Sequence, residues 1–416
     1  MFAVPTIGRP VAATVRPPGS KSLTNRALVI ASLARPAASR LTGALDAEDT
    51  TVMRAALRRL GVLIDDNDDP WLVLGTGGDL TPTGELVDVG ASGTTARFVT
   101  AVAALAKGTI VIDGTPRMRQ RPIGPLVAAL RMMGASVESR GEYPPVQIRG
   151  GALTGGRVIV QSTLSSQFAS AVLMVAPLAS TRVDIVLEGR VASAPYLEGT
   201  VEMMRSFGAV VEPTPSGYTV EPTGYEKAHI DIEADASAAV YPAVAAAITG
   251  GQVVIEGIPS HSTQPDLAVL EILRAMGCDI HRGAESITVT GPRELGPVDV
   301  DLSGSPDGAL AVAVAALFAT GPSRIDGLAT LRIKETDRLA ALKTEMGKVG
   351  AEVTVDGDAL TVRPRELRPA EIETYDDHRI AMSMALVGLV VPGVTIARPG
   401  TVAKTWPGYF DMLSHL

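Results

Sequence analysis

Apolar and polar residues follow a pattern that recurs about every 70 residues along this chain. Five times, a helical stretch ends in a bulky apolar residue, a glycine follows, and alternating apolar and polar residues come next. The glycines of this pattern are Gly61, Gly134, Gly208, Gly277 and Gly350. Glycine is the usual residue just past a helix because it accepts positive φ without a Cβ clash. Each occurrence therefore predicts a helix, a glycine turn and a strand.

A second kind of helix recurs with the same period and is rich in Ala, Val and Leu. Its six predicted starts are Ser20, Ser92, Ser165, Asp235, Asp307 and Asp377. Ser and Asp are favourable N-caps because their oxygens accept the free N–H groups of the first turn. Few charges follow these starts, so we predict that these helices are buried on most sides.

Six such repeats, each with two helices and several short strands, suit a 416-residue α/β protein of two domains with three repeats each. The midpoint near Gly224–Lys227 is the expected crossing from one domain to the other. The leading segment Met1–Gly19 precedes the first buried helix, and we expect it to complete a repeat in the second half.

The composition narrows the functional classes. Basic residues are dispersed and the net charge is −8, which argues against a nucleic-acid partner. The first ten residues lack a signal-peptide pattern, and the longest apolar run, Ile380–Val391, is shorter than the roughly 18 residues of a membrane span. The single cysteine, Cys278, excludes an intramolecular disulfide and a multi-cysteine metal site. We therefore expect a soluble cytoplasmic protein with no membrane partner.

Four of the predicted helix starts carry polar or basic residues. These are Lys21, Ser22 and Arg26; Gly93, Thr94 and Arg97; Ser165, Ser166 and Gln167; and Asp377, His378 and Arg379. A helix N-terminus favours anions, because its N–H groups are free and it carries about half a positive charge. If the two domains face each other through these ends, the cleft suits small, multiply charged anions. The alternative, plain caps, explains Ser and Asp well but explains Lys21, Arg97 and His378 poorly.

Three further motifs concentrate charge. In GTPRMRQRPIGPL, Arg117, Arg119 and Arg121 alternate, so two of them share a face if the segment is extended. LRIKETDRLAAL predicts a helix after a capping turn, in which Lys334 and Arg338 repel each other unless an anion or Glu335 lies between them. TYDDHRIAM places a histidine, suited to proton transfer, ahead of an apolar helix. A basic surface loop, a mixed-charge helix and a packed histidine are the respective alternatives.

Together these motifs resemble the EPSP synthases, a family of enolpyruvyl transferases. PGSKSLTNR, GTPRMRQRPIG, SSQFASAVLM, PDGAL, IKETDRLAAL, DDHRIAM and AKTWPGYF occur in the family's order, and the match extends from Lys21 to Lys404. The resemblance implies a two-domain inside-out α/β barrel, with three βαβαββ units around a pseudo-threefold axis in each domain. One domain would comprise residues 1–20 with 227–416 and the other residues 21–226, with the active site in the cleft between them.

The resemblance also implies an activity. The family transfers the enolpyruvyl group of phosphoenolpyruvate to the 5-hydroxyl of shikimate 3-phosphate through a tetrahedral intermediate, in the shikimate pathway to chorismate and the aromatic amino acids. It uses no metal and no organic cofactor. Glyphosate is the expected inhibitor, and a monomer is the expected state.

Site residues carry over motif by motif as expectations. The resemblance assigns shikimate 3-phosphate contacts to Lys21, Ser22, Arg26, Ser165, Ser166, Gln167, Ser193, Tyr196, Asp307 and Lys334. It assigns phosphoenolpyruvate contacts to Lys21, Gly93, Arg121, Gln167, Glu335, Arg338, His378, Arg379 and Lys404. Asp307 is the expected base for the 5-hydroxyl, Glu335 or Lys21 the proton donor to C3, and His378 the residue that orients Glu335.

Four positions depart from the family's usual residues: Ala91, Phe98, Thr330 and Asp376. Ala91, Thr330 and Asp376 stand where asparagine is common. The helix that begins at Gly93 lines the phosphoenolpyruvate pocket in the family, and we expect Ala91 and Phe98 to shift it. We therefore expect altered glyphosate sensitivity. Two rivals remain: UDP-N-acetylglucosamine 1-carboxyvinyltransferase, which usually has a reactive cysteine in the loop matching GTPRMRQRPIG, and a non-catalytic anion-binding protein on the same fold.

Overall fold

The five glycines of the repeating pattern end helices as predicted. Their φ angles run from 83° at Gly208 to 109° at Gly277. Each follows a helix and precedes a short strand, which confirms the helix–glycine–strand prediction in all five places. The left-handed backbone at these positions suits glycine because any Cβ there is strained.

A computed structural model describes all 416 residues. Its α-helices are α1 (Lys21–Leu33), α2 (Glu48–Arg59), α3 (Gly93–Ala103), α4 (Gly124–Met132), α5 (Ser166–Val175), α6 (Pro195–Ser206), α7 (Ala236–Thr249), α8 (Ala268–Ala275), α9 (Ala309–Ala316), α10 (Arg338–Lys348), α11 (His378–Gly388) and α12 (Tyr409–Ser414). None of these helices has the length and apolar character needed to cross a membrane.

The strands are short and lie between the helices. They are β1 (Phe2–Ala3), β2 (Ala12–Val15), β3 (Ala38–Thr42), β4 (Leu63–Asp65), β5 (Trp71–Leu74), β6 (Leu86–Asp88), β7 (Thr109–Asp113), β8 (Ser136–Arg140), β9 (Tyr143–Arg149), β10 (Gly156–Gln161), β11 (Val183–Glu188), β12 (Val211–Thr214), β13 (Gly217–Val220), β14 (His229–Asp231), β15 (Gln252–Glu256), β16 (Asp279–Arg282), β17 (Ser286–Thr290), β18 (Asp299–Asp301), β19 (Ser323–Asp326), β20 (Glu352–Asp356), β21 (Ala359–Arg363), β22 (Glu371–Ile372) and β23 (Thr395–Ile396).

The chain forms two units, each with its own hydrophobic core. Unit I is Lys21–Ile232, and unit II is Met1–Ser20 together with Glu233–Leu416. In unit I the helices α1, α3 and α5 contact one another, and α7, α9 and α11 do so in unit II. All eleven residues of α3 and of α11, and all eight of α9, are buried. Small Ala and Val side chains allow three helices to pack closely inside each unit, while the sheets lie outside them.

N-caps begin four of these buried helices where the sequence predicts them, and α1 begins at Lys21, directly after the predicted start Ser20. Ser92, Ser165, Asp235 and Asp377 each accept a hydrogen bond from a backbone N–H of the following turn. Asp307 does not: it lies in a 3-10 turn, Pro306–Gly308, and α9 begins at Ala309 with Gly308 at the cap position. The predicted helix start at Asp307 is therefore wrong, because its carboxylate binds cations instead.

Five of the six sheets share one topology. Each has four strands, in which the first pair is parallel and the two remaining pairs are antiparallel, for example β6-β7-β9-β8 and β10-β11-β13-β12. The sixth, β1-β23-β22, has three strands. In the second and third repeats the strands of one sheet follow one another along the chain, as a βαβαββ unit requires.

The first and fourth repeats exchange their leading strands. Strand β2 precedes α1 but pairs in parallel with β15, and β14 precedes α7 but pairs in parallel with β3. The boundary therefore lies between Ile232 and Glu233 rather than at residue 226, because β14 is hydrogen-bonded into the unit I sheet.

A further glycine in three repeats lets the outer sheet approach the end of a buried helix. Gly75, Gly150 and Gly291 follow the last strand, and a Cβ on them would lie 2.3, 1.9 and 2.1 Å from the carbonyl oxygens of Ala34, Ala106 and Ala246. The atoms that a Cβ would meet are backbone carbonyl oxygens, which cannot rotate away as a side chain can. A residue larger than glycine therefore does not fit at these positions.

Gly150→Ala is expected to lower the free energy of unfolding by about 2 kcal/mol, because its methyl group overlaps the Ala106 carbonyl. The matched control is Gly151→Ala, where no atom lies within 4 Å of the new Cβ and the expected change is below about 0.5 kcal/mol. Urea unfolding followed by circular dichroism compares the two variants. Equal stabilities would contradict the close approach.

Candidate active site

Arg338 is the centre of a charged cluster in unit II. Its side chain is 1% exposed and donates to Asp377 from Nε at 2.7 Å and from Nη2 at 3.1 Å. Nη1 donates to Asp307 Oδ1 at 2.9 Å, and Nη2 donates to Glu335 Oε2 at 2.9 Å. Burial alone would lower the pKa of Arg338, but Asp377, Glu335 and Asp307 outweigh it and raise the pKa above its usual value. The guanidinium is therefore a permanent cation.

Asp307 collects three cationic groups. Its Oδ1 lies 3.4 Å from Lys334 Nζ and 2.9 Å from Arg338 Nη1, and its Oδ2 lies 3.2 Å from Arg379 Nη2. The 3-10 turn before α9 presents this carboxylate, which is 19% exposed, to elements far away in sequence.

The predicted capping turn and helix are both present in the IKETDR segment, but the helix begins later than the prediction that placed Lys334 and Arg338 in one helical turn. Helix α10 begins at Arg338, and the preceding Asp337 caps it by accepting from Ala340 N at 3.1 Å. Lys334 and Glu335 therefore lie before the helix. The expected repulsion between Lys334 and Arg338 is nonetheless relieved by an anion, since Asp307 lies between them.

Residues at the start of α11 complete this cluster. Asp377 is fully buried and accepts from Arg379 N at 2.9 Å while it binds Arg338, so one side chain both caps the helix and binds a cation. His378 is 1% exposed, with Nδ1 3.7 Å from Asp377 Oδ1. Arg379 Nη1 donates to the Tyr241 hydroxyl at 3.4 Å. Lys404 ends a separate 3-10 segment, Pro399–Lys404, and is 5% exposed.

The sequence did not predict that Asp377 belongs to this cluster. Its position before an apolar helix indicates a cap, and that function occupies only part of the carboxylate's hydrogen-bonding capacity. The remaining capacity binds Arg338, which is 39 residues away in the chain. No local signal in the sequence distinguishes a cap that also binds a distant guanidinium.

In unit I, two guanidinium groups lie against Gly93 at the start of α3. A Cβ on Gly93 would be 2.4 Å from both Arg121 Nη2 and Arg97 Nη1. Arg97 donates to the carbonyl oxygens of Gly93 and Pro122, at 3.0 Å each, and Arg121 Nη1 donates to Ala91 O at 3.3 Å. Gln167 lies nearby, since its Nε2 donates to Thr94 Oγ1 at 3.2 Å. The absence of a side chain at position 93 leaves room for these cations above a helix N-terminus.

The segment with the three alternating arginines is not extended, so the prediction that two of them share a face does not apply. Met118–Gln120 forms a 3-10 turn. Arg119 turns to Asp113, with N–O distances of 2.9 and 2.6 Å, and its hydrogen bond lowers the pKa of Asp113. Arg117 is near Gln120 on the surface, so only Arg121, 6% exposed, is buried.

A second group in unit I surrounds Arg26 of α1. Its Nε donates to Thr200 Oγ1 at 2.7 Å, Nη1 to Ser22 O at 3.0 Å and Nη2 to Tyr196 O at 3.2 Å. Burial lowers the pKa of Arg26 to about 10, so it remains a cation at neutral pH. Phe98 lies beneath it, with the guanidinium carbon 5.4 Å from the ring centroid.

The other predicted residues of unit I lie at helix starts or just before them. Lys21 is the first residue of α1, and its Nζ lies 3.6 Å from Oδ2 of Asp49 in α2. Ser165 caps α5 by accepting from Gln167 N at 3.2 Å, and Ser166, 4% exposed, is its first residue. Ser193 has a φ of 56°, a strained value for a residue with a side chain, two residues before α6 begins.

A sequence model of one family matches nearly the whole chain. That family is EPSP synthase (3-phosphoshikimate 1-carboxyvinyltransferase), and the match covers residues 5–413. The chain belongs to the EPSP synthase family. The 3-phosphoshikimate 1-carboxyvinyltransferase of Colwellia psychrerythraea is 41% identical over 96% of this chain and 95% of that protein. The same-named protein of Rhizobium etli is 42% identical over 98% and 95%.

Solved structures confirm the mixed α/β fold class. An EPSP synthase from Acinetobacter baumannii is similar at a TM-score of 0.83 and 27% identity, covering 99% of this chain and 97% of that one. The enolpyruvyl transferase NikO from Streptomyces tendae has a TM-score of 0.80, covering 100% and 97%. At 18% identity the second likeness concerns the fold alone.

Carboxylates, a histidine and buried guanidinium groups are thus all present in this EPSP synthase family member. Unit II combines Asp307, Glu335 and His378 with buried cations, and unit I has guanidinium groups at helix N-termini. No group of three or more His, Cys, Asp and Glu side chains is arranged to hold a metal ion.

Arg338→Ala is expected to destabilise the protein by about 3–5 kcal/mol, because the fully buried Asp377 loses its cation. Arg338→Lys should lose less, since it keeps the charge but not the paired geometry. The control is Arg324→Ala, whose partner Asp326 is 38% exposed and whose loss should cost less than about 1 kcal/mol. Urea unfolding measures all three, and equal losses at 338 and 324 would contradict the central position of Arg338.

Proposed function

We propose that this chain transfers the enolpyruvyl group of phosphoenolpyruvate to the 5-hydroxyl of shikimate 3-phosphate, releasing phosphate. The full-length family match supports the reaction class. The observation that carries the proposal is the unit II cluster, in which Asp307 and Glu335 share the buried Arg338. Carboxylates for proton transfer and cations for phosphate and carboxylate are the two requirements of this chemistry.

The reaction consists of an addition and an elimination. The 5-hydroxyl oxygen bonds to C2 of phosphoenolpyruvate, the hydroxyl proton leaves, and C3 gains a proton, which gives a tetrahedral intermediate. The bond from C2 to the phosphate oxygen then breaks, C3 loses a proton, and the C2–C3 double bond forms again. Phosphate and the enolpyruvyl ether are the products.

Asp307 is our candidate for the base that takes the hydroxyl proton, and Glu335 or Lys21 for the donor to C3. In the structure, Lys334, Arg338 and Arg379 all neutralise Asp307. Such contacts weaken a base, because they stabilise its charged form. Anionic groups of the substrate would bind these three cations and weaken their contacts with Asp307. The Asp307 carboxylate would then be a stronger proton acceptor. Glu335 would be released from Arg338 in the same way, with His378 orienting it.

We infer that the guanidinium groups at Gly93 bind the phosphate or carboxylate of phosphoenolpyruvate, together with Lys21 and Gln167 of unit I. The groups around Arg26 would bind shikimate 3-phosphate, with Ser22, Ser165, Ser166, Ser193 and Tyr196. Within unit II, Arg338, Arg379 and Lys404 are our candidates for phosphoenolpyruvate contacts, and Lys334 is our candidate for a shikimate 3-phosphate contact. Two family departures contact these arginines: Ala91 O accepts from Arg121, and the Phe98 ring lies under Arg26. Glyphosate, which also carries a carboxylate and a phosphorus oxyanion, would compete for the same cations as phosphoenolpyruvate.

The rival sugar-nucleotide transferase is not favoured. The matching family model is that of EPSP synthase, and both relatives named above are 3-phosphoshikimate 1-carboxyvinyltransferases. The single cysteine, Cys278, is 4% exposed in the unit II core, and burial raises the pKa of its thiol to about 11. A buried thiol of this kind is not a reactive loop residue. A cytoplasmic location and a monomeric state remain our expectations from the family resemblance.

Phosphate release by the purified protein tests the function. We expect release from phosphoenolpyruvate that requires shikimate 3-phosphate and does not occur with UDP-N-acetylglucosamine. Glyphosate in the same assay is expected to raise the apparent KM for phosphoenolpyruvate. Release with the sugar nucleotide alone would replace the proposed substrate, and no release with either acceptor would favour a binding protein.

Gly93→Ala is expected to raise the KM for phosphoenolpyruvate by about tenfold, because its Cβ would displace two guanidinium groups from 2.4 Å. The matched control is Gly347→Ala in α10, where nothing lies within 4 Å of the new Cβ and kinetics should be unchanged. Steady-state kinetics with varied phosphoenolpyruvate distinguishes them. An unchanged KM in Gly93→Ala would argue against this binding position.

A further inference from the structure

Residues 373–377 form the segment that leads into α11, and part of its backbone is strained. Only four residues other than glycine have positive φ in the whole chain, and two of them, Tyr375 at 55° and Asp376 at 54°, are adjacent. They directly precede Asp377, the cap that binds Arg338. Residues of this kind adopt the left-handed region only where surrounding contacts hold them there, and such strain concentrates at functional sites.

A buried carboxylate, that of Glu345, binds this segment through two hydrogen bonds. Glu345 is 0% exposed, and its Oε1 accepts the Tyr375 hydroxyl hydrogen at 2.6 Å. Its Oε2 accepts from Glu373 N at 3.0 Å and from Lys348 Nζ at 2.7 Å. Both oxygens are therefore engaged, and two of the three donors belong to the strained segment. Burial and the hydrogen bond to Glu345 raise the pKa of Tyr375 to about 12, so its hydroxyl stays a donor at neutral pH.

Glu345 and Arg338 belong to the same helix, α10, and are seven residues apart. That spacing corresponds to two helical turns, so the two side chains lie on one face. Arg338 binds the end of the strained segment through Asp377, and Glu345 binds its beginning through Glu373 and Tyr375. One face of α10 thus holds the segment at both ends.

The outer side of the segment is held by Arg398. Its Nη1 donates to Asp376 Oδ1 at 2.6 Å, and its Nη2 donates to Glu373 Oε1. The Glu373 carboxylate also accepts from Thr374 N at 2.8 Å and from Tyr375 N at 3.1 Å. These groups are partly exposed, so they are worth less than the buried contact of Glu345.

We propose that Glu345 and Tyr375 are positioning residues, which fix the start of α11 and with it the directions of His378 and Arg379. The inference rests on the proposed function, because it assigns these two side chains a consequence for enolpyruvyl transfer. Neither is among the side chains that we propose to bind substrate or to transfer a proton. Their effect arises because a small displacement of a group that binds the transition state lowers the rate, even when the displaced contact is remote.

Tyr375→Phe tests the proposal because it removes one hydroxyl and leaves the ring. We expect kcat/KM for phosphoenolpyruvate to fall roughly tenfold, while the Kd for shikimate 3-phosphate, measured without turnover, stays within about twofold. The matched control is Tyr225→Phe in unit I, which loses a buried hydroxyl that donates to Met174 O at 2.9 Å. Its urea midpoint should fall as much as that of Tyr375→Phe, with unchanged kinetics.

A graded pair of variants at position 345 provides an independent measurement. Glu345→Gln keeps an oxygen for the Tyr375 hydroxyl but replaces the oxygen that accepts from Glu373 N, so its loss of kcat/KM should be smaller than that of Glu345→Ala. A purely structural contribution predicts lower urea midpoints in both variants with no loss of activity per folded molecule.

The outcomes separate the two ideas. A wild-type protein that releases no phosphate with shikimate 3-phosphate overturns the proposed function and this inference with it. An active wild type whose Tyr375→Phe variant has the same kinetics as Tyr225→Phe overturns the positioning inference alone. A selective loss in Tyr375→Phe, with graded losses at position 345, supports it.

Discussion

The contact between one buried guanidinium and three carboxylates organises unit II. Arg338 begins α10, Asp377 caps α11, Asp307 lies in the turn before α9, and Glu335 precedes α10. Their shared hydrogen bonds fix the starts of consecutive elements relative to one another. Ions this deeply buried are costly unless they are paired and hydrogen-bonded, so the position of each element depends on that of the others.

Charge balance makes this arrangement suitable for an anionic substrate. Asp307, Glu335 and Asp377 face the cations Lys334, Arg338 and Arg379, so the negative and positive charges are matched. A phosphate or carboxylate that enters such a cluster competes with internal carboxylates for cations that are already oriented. In the proposed reaction, the same side chains would couple substrate binding to activation of a base, and their orientation would already exist when the substrate arrives.

The interior helices explain why binding groups collect where they do. Charged side chains in these buried helices lie only in their first two turns: Lys21 and Arg26 in α1, Arg97 in α3, and Arg379 in α11. At Gly93 even a methyl group is absent, and two guanidinium groups occupy that space. At Asp377 the capping side chain also binds Arg338. In both cases the helix start provides free N–H groups and a favourable potential for anions.

Sequence alone determined the helices, their glycine turns, the repeat count, and the caps at Ser92, Ser165, Asp235 and Asp377. These features depend on neighbours a few residues apart, on Cβ sterics and on N–H groups of one turn, so the local pattern contains the necessary information. The resemblance of the motifs supplied the family, because those motifs extend over nearly the whole chain.

Only the tertiary structure decided which charged groups meet. Arg119 pairs with Asp113 while Arg121 is buried beside Gly93, although the two alternate in one short segment. Asp307 binds cations instead of capping α9, β14 joins the unit I sheet, and Glu345 holds Tyr375 from 30 residues away. A charged side chain selects its partner through space, by distance and by the loss of water around it. Residues that are distant in the chain are brought within that range only by packing inside each unit.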